Sequence, residues 1–299
     1  MAVDYRVGRG LADASKATGF AVVVVTYLVA GGLAWAVAKG LGGHHPLTVA
    51  LWADVAATLV VFLASMAVGN SSLYDPYWSV APPVIVLAWT TGGARQIIVD
   101  VLVLAWAVRL TANWAISWRG LTHEDWRYVQ LREQRPGWLP FWVVNLIGIQ
   151  LMPTLVVFAG LLPVWPATTM LDRPFGPLDV LAVVVTAGAI LTEAVADRQL
   201  RRFAGDPVNR GRILDSGLWR YSRHPNYLGE VGFWWGLWLF GLAAAPGWWW
   251  SVAGPLVMVL LFAFVSVPLM DRRSVARRPA YADHMRDVPA LLPRPRRSS

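Results

Sequence analysis

The stretch GLWRYSRHPNYLGE, residues 217–230, concentrates hydrogen-bonding side chains directly before an apolar segment. Pro225 suits the first turn of a helix, and the free N–H groups at a helix N-terminus attract anions. Arg212, Arg220 and Arg223 add guanidinium donors, which bind phosphate and carboxylate oxygens through charge-assisted hydrogen bonds. The pattern therefore predicts a cradle for a pyrophosphate or a carboxylate.

Two further polar clusters lie near the ends of apolar segments. Arg109 and Asn113 are four residues apart and would share one helix face, from which Arg109 could contact an anionic ligand group. The alternative is an arginine that extends to the membrane surface or pairs with Asp100. Glu193 and Asp197 are like charges at the same spacing, so they need a compensating partner. That partner would be a ligand amide, Arg109, or another cation in a structural ion pair.

The elements that must position these clusters are apolar helices. The chain is 56% hydrophobic, its mean hydropathy is +0.47, and several long windows contain almost no charge. We predict an all-α integral membrane protein with about eight transmembrane helices. Seven remain possible, because the third span is short and contains Pro82 and Pro83. The predicted spans lie near 18–40, 47–69, 77–92, 95–118, 139–163, 177–197, 228–245 and 249–270.

We expect one membrane domain over residues 1–299. Its first part, residues 1–70, would hold variable spans, residues 71–292 would form the core, and residues 293–299 would be a disordered tail because they are rich in Pro and Arg.

Positive charge gathers in alternate loops. Arg6, Arg9 and Lys16 precede the first span, whereas residues 41–46 and 244–248 contain no Lys or Arg. This asymmetry predicts a multi-pass protein of the cell (inner) membrane with both termini in the cytoplasm. Topology and contact with anionic membrane lipids account for most of the net charge of +8, so nucleic-acid binding is not needed to explain it.

The composition excludes several kinds of chemistry. With no cysteine, the chain has no disulfide, thiolate nucleophile or iron–sulfur cluster. Five histidines without an HExxH pattern give no reason to expect a catalytic metal.

The run GLWRYSRHPNYLGE closely resembles the C-terminal signature of the steroid 5-alpha-reductase-like family of membrane reductases, in particular its bacterial DUF1295 branch. The likeness covers roughly residues 70–295. It implies a helical membrane reductase that binds NADPH in a cytosol-facing cavity and saturates an activated C=C bond in a lipid-like substrate. The supporting patterns are Glu193-x-x-x-Asp197-x-Gln199-x-x-x-Phe203, Trp106-x-x-Arg109-Leu110, Glu124-Asp125-Trp126-Arg127-Tyr128 and Arg278-Pro279-x-Tyr281.

Carried over residue by residue, the resemblance implies a set of NADPH contacts. In this set, Asn226 would contact the nicotinamide carboxamide, and NADPH would lie under a lid formed by residues 198–224 and the C-terminal tail. The implied contacts are Arg109, Asn113, Glu193, Asp197, Arg212, Tyr221, Arg223, His224, Asn226, Tyr227, Glu230, Arg277 and Arg278, with Arg273 as a further tail candidate.

Reduction of an enone needs a hydride on the β-carbon and a proton donor at the carbonyl oxygen. In the animal enzymes a Tyr and a Glu polarise this carbonyl, and this chain shows no alignable counterparts. We therefore predict catalytic roles for Tyr74, Asp75 and Tyr77, together with Glu230. The alternative for the first three is an interfacial aromatic anchor in which Asp75 caps a helix.

Two other functions compete with the reductase. Isoprenylcysteine and phospholipid methyltransferases, which use S-adenosylmethionine, resemble the Arg-His-Pro-x-Tyr-x-Gly core. They usually carry an apolar or aromatic residue where this chain has Glu230, and a Glu-Glu pair where it has Asp271-Arg272. The second alternative is a non-enzymatic lipid-binding or transport protein. In every case we expect a lipid-like partner that enters from the bilayer.

Overall fold

The computed structural model describes residues 14–170 and 172–294, and these residues form helices and turns without a β-strand. The chain divides into two compact units, each described here by itself: unit 1 is Met1–Trp89 with Trp106–Phe158, and unit 2 is Thr90–Ala105 with Ala159–Ser299. Arg6 and Arg9, which contributed to the predicted orientation, lie outside the described residues, as does 295–299 of the predicted disordered tail.

The helical elements follow one another with short connections. Helices α4 (Ala94–Ser117) and α7 (Met152–Leu161) contribute residues to both units. The helices are α1 (Lys16–Gly40), α2 (Pro46–Val68), α3 (Tyr77–Ala88), α4 (Ala94–Ser117), α5 (Trp126–Gln134), α6 (Phe141–Val143), α7 (Met152–Leu161), α8 (Val164–Thr169), α9 (Pro177–Gly205), α10 (Pro225–Ala244), α11 (Ala253–Leu261), α12 (Val267–Arg277) and α13 (Tyr281–Asp287). Within residues 14–170 and 172–294, two π-helical segments, Val144–Leu151 and Phe262–Ser266, join α6 to α7 and α11 to α12. Four 3₁₀ segments in the same ranges lie at Ser71–Tyr74, Pro207–Asn209, Gly217–Arg220 and Pro246–Val252.

Six helical stretches in the described part of the chain are long and apolar enough to cross a membrane, which confirms a helical membrane protein. They are Lys16–Gly40, Pro46–Val68, Ala94–Ser117, Phe141–Leu161, Pro177–Gly205 and Pro246–Arg277.

The other two predicted spans are also helical, but their crossing of a membrane stays a prediction. Helix α3 has 12 residues with Pro82 and Pro83 inside it. At about 1.5 Å per residue it covers roughly 18 Å, less than the roughly 30 Å of a bilayer core. Helix α10 has 20 residues, enough for a span.

Helix α9 reaches eight residues further than the predicted span, to Gly205, and so carries its polar end beyond the apolar window. Its first turn is fixed by Asp179, which accepts hydrogen bonds from the Gly176 N–H at 2.9 Å and from Arg95 Nε at 2.6 Å. Arg95 and Asp179 are both buried, so each charge is neutralised by the other. This pairing anchors the start of the longest helix of unit 2.

Helices α9 and α10 pack closely because α10 presents glycines to its neighbours. A Cβ at Gly236 would overlap the Thr186 side chain and lie 3.0 Å from the Thr186 Cα, and one at Gly229 would lie 2.8 Å from the Ala189 carbonyl oxygen. A Cβ at Gly241 would collide with the Pro163 carbonyl. Small residues allow this approach between membrane helices, where packing takes over from the hydrophobic effect. The contact fixes the N-terminus of α10 beside the last turns of α9.

Candidate functional site

A cavity of about 490 Å³ lies in unit 2. Its walls come from the last turns of α9, the loop 206–219, the first turn of α10, and α12 and α13. This volume is within the roughly 300–1,000 Å³ typical of small-molecule sites.

The cavity is strongly cationic. Its lining contains five arginines and one carboxylate, Asp206. Arg210, Arg212 and Arg277 are exposed, and the Arg278 Nη1 donates to the Arg212 carbonyl at 2.7 Å, which ties the end of α12 to the loop. Guanidinium groups from two separate segments therefore face one space, an arrangement suited to phosphate groups. The fifth lining arginine is Arg223.

The start of α10 supplies the polar floor. Pro225 occupies the first helical position, and no side chain caps this end. Asn226 and Tyr227 line the cavity, and the Asn226 Nδ2 lies 3.4 Å from the Asp197 Oδ1. The N-terminal end of the helix dipole is directed at the same space and favours negative charge there.

Arg223 and His224 also line the cavity, but their hydrogen bonds run into the protein. The Arg223 Nη2 and the His224 Nε2 bind Asp271 at 2.8 and 2.9 Å, and the Arg223 Nη1 donates to the carbonyls of Met285 and Val288. Arg223 is only 8% exposed, and a buried charge requires such partners. These bonds hold the cavity wall, and a contact between Arg223 and a phosphate stays a prediction.

The other predicted cofactor residues of unit 2 divide into two groups. Glu193, Asp197 and Glu230 are buried and do not line the cavity, and the Trp234 Nε1 donates to the Glu230 Oε1 at 2.9 Å. Tyr221 is 43% exposed and does not line the cavity. Its carbonyl instead accepts the Arg294 N–H, so Arg294, at the start of the tail predicted to be disordered, is held in place.

Sequence reasoning missed a second group of lining residues. Trp219, Tyr281 and His284 place three rings at the cavity, and Arg210 adds a cation. Trp219 and Tyr281 lay within the patterns of the resemblance, which was the available signal.

Arg109 and Asn113 lie on α4 within unit 1, and both are partly buried. Every residue that lines the cavity belongs to unit 2. A cofactor contact for Arg109 and Asn113 therefore stays a prediction.

Unit 1 has its own buried polar cluster. The Tyr77 hydroxyl donates to the Asp54 Oδ1 at 2.6 Å, and the Tyr74 hydroxyl lies 2.8 Å from the Thr154 Oγ1. Tyr74 and Tyr77 are 2% and 6% exposed, so they are core residues rather than surface anchors. Sequence reasoning missed Asp54, although a lone carboxylate inside the apolar window of α2 is a default candidate for a functional group.

A model of the family described as "Protein of unknown function (DUF1295)" matches residues 61–288. The chain belongs to the DUF1295 family. An uncharacterized protein of Schizosaccharomyces pombe (strain 972) is 27% identical over 282 residues, covering 84% of this chain and 80% of that protein. No solved structure matches significantly. The DUF1295 match includes every residue that lines the cavity, and also Tyr74, Asp75 and Tyr77.

The Asp75 side chain of this DUF1295 protein does not cap α3. Helix α3 begins after Pro76 without a side-chain cap, and the Asp75 carboxylate instead accepts the Tyr128 hydroxyl at 2.5 Å and lies 3.8 Å from the Arg127 Nη2. Burial raises the pKa of Asp75 to about 6, although the Arg127 charge opposes the shift.

We expect Asp75→Asn to flatten the dependence of stability on pH. A pKa raised from 3.8 to about 6 means that the folded state holds the proton more tightly, so the free energy of unfolding of the wild type falls as pH rises between these values. Above that window the ionised carboxylate costs up to about 3 kcal/mol, which the variant avoids. Melting temperatures in detergent from pH 4 to 7.5 should agree at pH 4 and favour the variant at pH 7.5.

Asp283→Asn is the control, because the Asp283 side chain is 69% exposed. Equal slopes for Asp75→Asn and the wild type would contradict the prediction. A loss of any measured turnover in the stable Asp75→Asn protein would separately support the catalytic role predicted for this residue.

Proposed function

We propose that this DUF1295 protein is an NADPH-dependent membrane reductase, similar to the steroid 5-alpha-reductases, that saturates an activated, enone-type C=C bond of a lipid-like substrate. The observation that carries the proposal is the cationic cavity at the start of α10, where Arg210, Arg212 and Arg277 face the same space as Asn226.

The residues present fit the chemical groups of NADPH. Arginines from two segments suit the pyrophosphate and the 2′-phosphate, which bring at least three negative charges to one ligand. The rings of Trp219, Tyr227 and Tyr281 offer faces for planar groups, and the Asn226 side chain can both donate to and accept from a carboxamide. When bound, NADPH would supply the hydride.

The protein's own groups bind, orient and exclude water. The arginines would fix the phosphates, while the contact between Asn226 and Asp197 joins the first turn of α10 to α9. Removing water from the reacting end strengthens each dipole directed at the developing negative charge. For the proton donor, Tyr74, Asp75 and Tyr77 stay our candidates. Glu230 stays a candidate as well, with its carboxylate bound to Trp234.

The proposed topology has eight spans with both termini in the cytoplasm of the cell membrane. Arg198, Arg201 and Arg202 at the end of α9 and the arginines after α12 would then lie on the cytoplasmic side, in agreement with the charge asymmetry of membrane proteins. This orientation opens the cavity toward the cytosol, where NADPH is available.

A methyltransferase that uses S-adenosylmethionine is the second candidate, because the Arg-His-Pro-x-Tyr-x-Gly core is common to both. The charge of the cavity disfavours this candidate, because a lining with five arginines and one carboxylate repels a positively charged sulfonium group. A non-enzymatic lipid-binding protein could use the arginines for anionic headgroups but would leave Asn226 and the aromatic lining of the cavity without a role.

Ligand-dependent melting of the purified protein in detergent tests the proposal. A ligand that binds only the folded state raises the apparent melting temperature, and at a hundred times its Kd it contributes about 2.7 kcal/mol. We expect NADPH to raise it by several degrees, NADH by less, and S-adenosylmethionine not at all. Asn226→Ala should lose most of the NADPH effect while melting near the wild type without ligand. Stabilisation by S-adenosylmethionine alone would overturn the proposal.

A further inference from the structure

Asp271, in the middle of α12, is the centre of a buried hydrogen-bond network in unit 2. Its Oδ1 lies 2.9 Å from the His224 Nε2 and accepts from the Tyr281 hydroxyl at 3.4 Å, and its Oδ2 accepts from the Arg223 Nη2 at 2.8 Å. Asp271 itself is 5% exposed and does not line the cavity, whereas Arg223, His224 and Tyr281 all do. One carboxylate thus orients three residues of the cavity wall.

The same network holds the C-terminal segment, residues 278–294. Arg223 and His224 donate their backbone N–H groups to the carbonyls of Pro289 and Ala290 at 2.9 and 3.1 Å. The Ser222 hydroxyl donates to the Ala290 carbonyl at 3.0 Å. The Arg223 guanidinium, oriented by Asp271, donates to the carbonyls of Met285 and Val288. The segment is therefore attached to the start of α10 by side-chain and main-chain bonds that converge on Arg223.

The C-terminal segment is also part of the cavity. Arg278, Tyr281 and His284 line it, and Arg277 lies directly before the segment. An anion bound by Arg212 and Arg277 would bridge the loop to the end of α12. Because such an anion binds best when both walls are in place, its binding and the attachment of the segment must favour each other.

We propose that Asp271 is a positioning residue that holds the C-terminal segment against the cavity, so that anionic ligands bind with the segment attached. The identity of the ligand as NADPH rests on the proposed function, whereas the coupling to Asp271 does not. Loss of the carboxylate would leave the buried Arg223 guanidinium without its anionic partner, and the segment would detach.

Limited trypsin digestion in detergent tests this, because Arg286 on α13 is an exposed cleavage site within the segment. In the wild type we expect NADPH, and separately inorganic pyrophosphate, to slow cleavage at Arg286 at least fivefold. Asp271→Asn should speed this cleavage at least tenfold without ligand, and should weaken NADPH binding at least tenfold. Asp271→Glu, which keeps the charge, should restore part of both effects.

Two controls separate positioning from general destabilisation. Asp172→Asn makes the same charge change at an exposed position of unit 2 outside the C-terminal segment and should stay within twofold of the wild type. The rate of cleavage after the exposed Arg119 of unit 1 should be unchanged in Asp271→Asn. In a globally unfolded protein, cleavage after Arg119 and cleavage after Arg286 would both become faster.

The outcomes are distinguishable. Protection by pyrophosphate without protection by NADPH would sink the proposed reductase function and leave the role of Asp271 intact. Protection by neither ligand, or an unchanged rate at Arg286 in Asp271→Asn, would overturn the inference.

Discussion

Replacing Arg212 and Arg277 together with glutamine is expected to weaken NADPH binding on the order of a hundredfold. Each guanidinium faces the cavity from a different segment and is exposed, whereas the Arg223 guanidinium is hydrogen-bonded into the protein. Hydrogen bonds to charged groups contribute about 1.5–3 kcal/mol, and two at the lower end correspond to roughly a hundredfold in Kd. Titration of the purified double variant with NADPH measures the change.

The matched control is Arg198→Gln with Arg202→Gln. Both residues are exposed on the last turns of α9 and neither lines the cavity, so the net charge falls equally without touching the site. We expect the control to bind NADPH within threefold of the wild type. Equal NADPH affinities for the two double variants would show that Arg212 and Arg277 act only through their long-range electrostatic field. That result would remove the main support for a phosphate site.

Gly236→Ala is expected to lower the melting temperature by about 2–5 °C. The new Cβ would overlap the Thr186 side chain and lie 3.0 Å from the Thr186 Cα, so α9 and α10 would have to separate. Overpacking of this kind costs about 1–3 kcal/mol, and about 1 kcal/mol shifts the melting temperature of a chain this large by a few degrees. Trp234, buried on the same helix, adds to a tryptophan fluorescence signal that would report the unfolding.

Gly188→Ala provides the comparison, because a Cβ at Gly188 on α9 would meet nothing within 4 Å. It should melt at or slightly above the wild-type temperature, since alanine favours a helix over glycine by about 1 kcal/mol. Gly232→Ala should fall between the two, with its Cβ 3.2 Å from the Ala189 Cβ. Equal melting temperatures for all three variants would mean that the glycines of α10 do not set the spacing of the two helices.

The sequence alone predicted the helices and the region of the site. Hydropathy is a local property, so the predicted spans recur as helices with shifts of a few residues, the largest at the end of α9. The preference of proline for the first helical turn predicted the start of α10 at Pro225, and Arg212, Arg277 and Arg278, which the resemblance implied as cofactor contacts, line the cavity.

Only the tertiary structure decided which polar residues face the cavity and which support it. Arg223 and Asn226 are three residues apart in the sequence, yet Arg223 is bound by Asp271 and Asn226 lines the cavity floor. Likewise, the Tyr77 hydroxyl donates to the Oδ1 of Asp54, a residue of α2, at 2.6 Å. A buried charge or hydroxyl must have a partner, but the sequence does not say which of many distant groups will meet it. That choice is made by the packing of the helices, which here joins Arg223 to Asp271 of α12 and to the C-terminal segment.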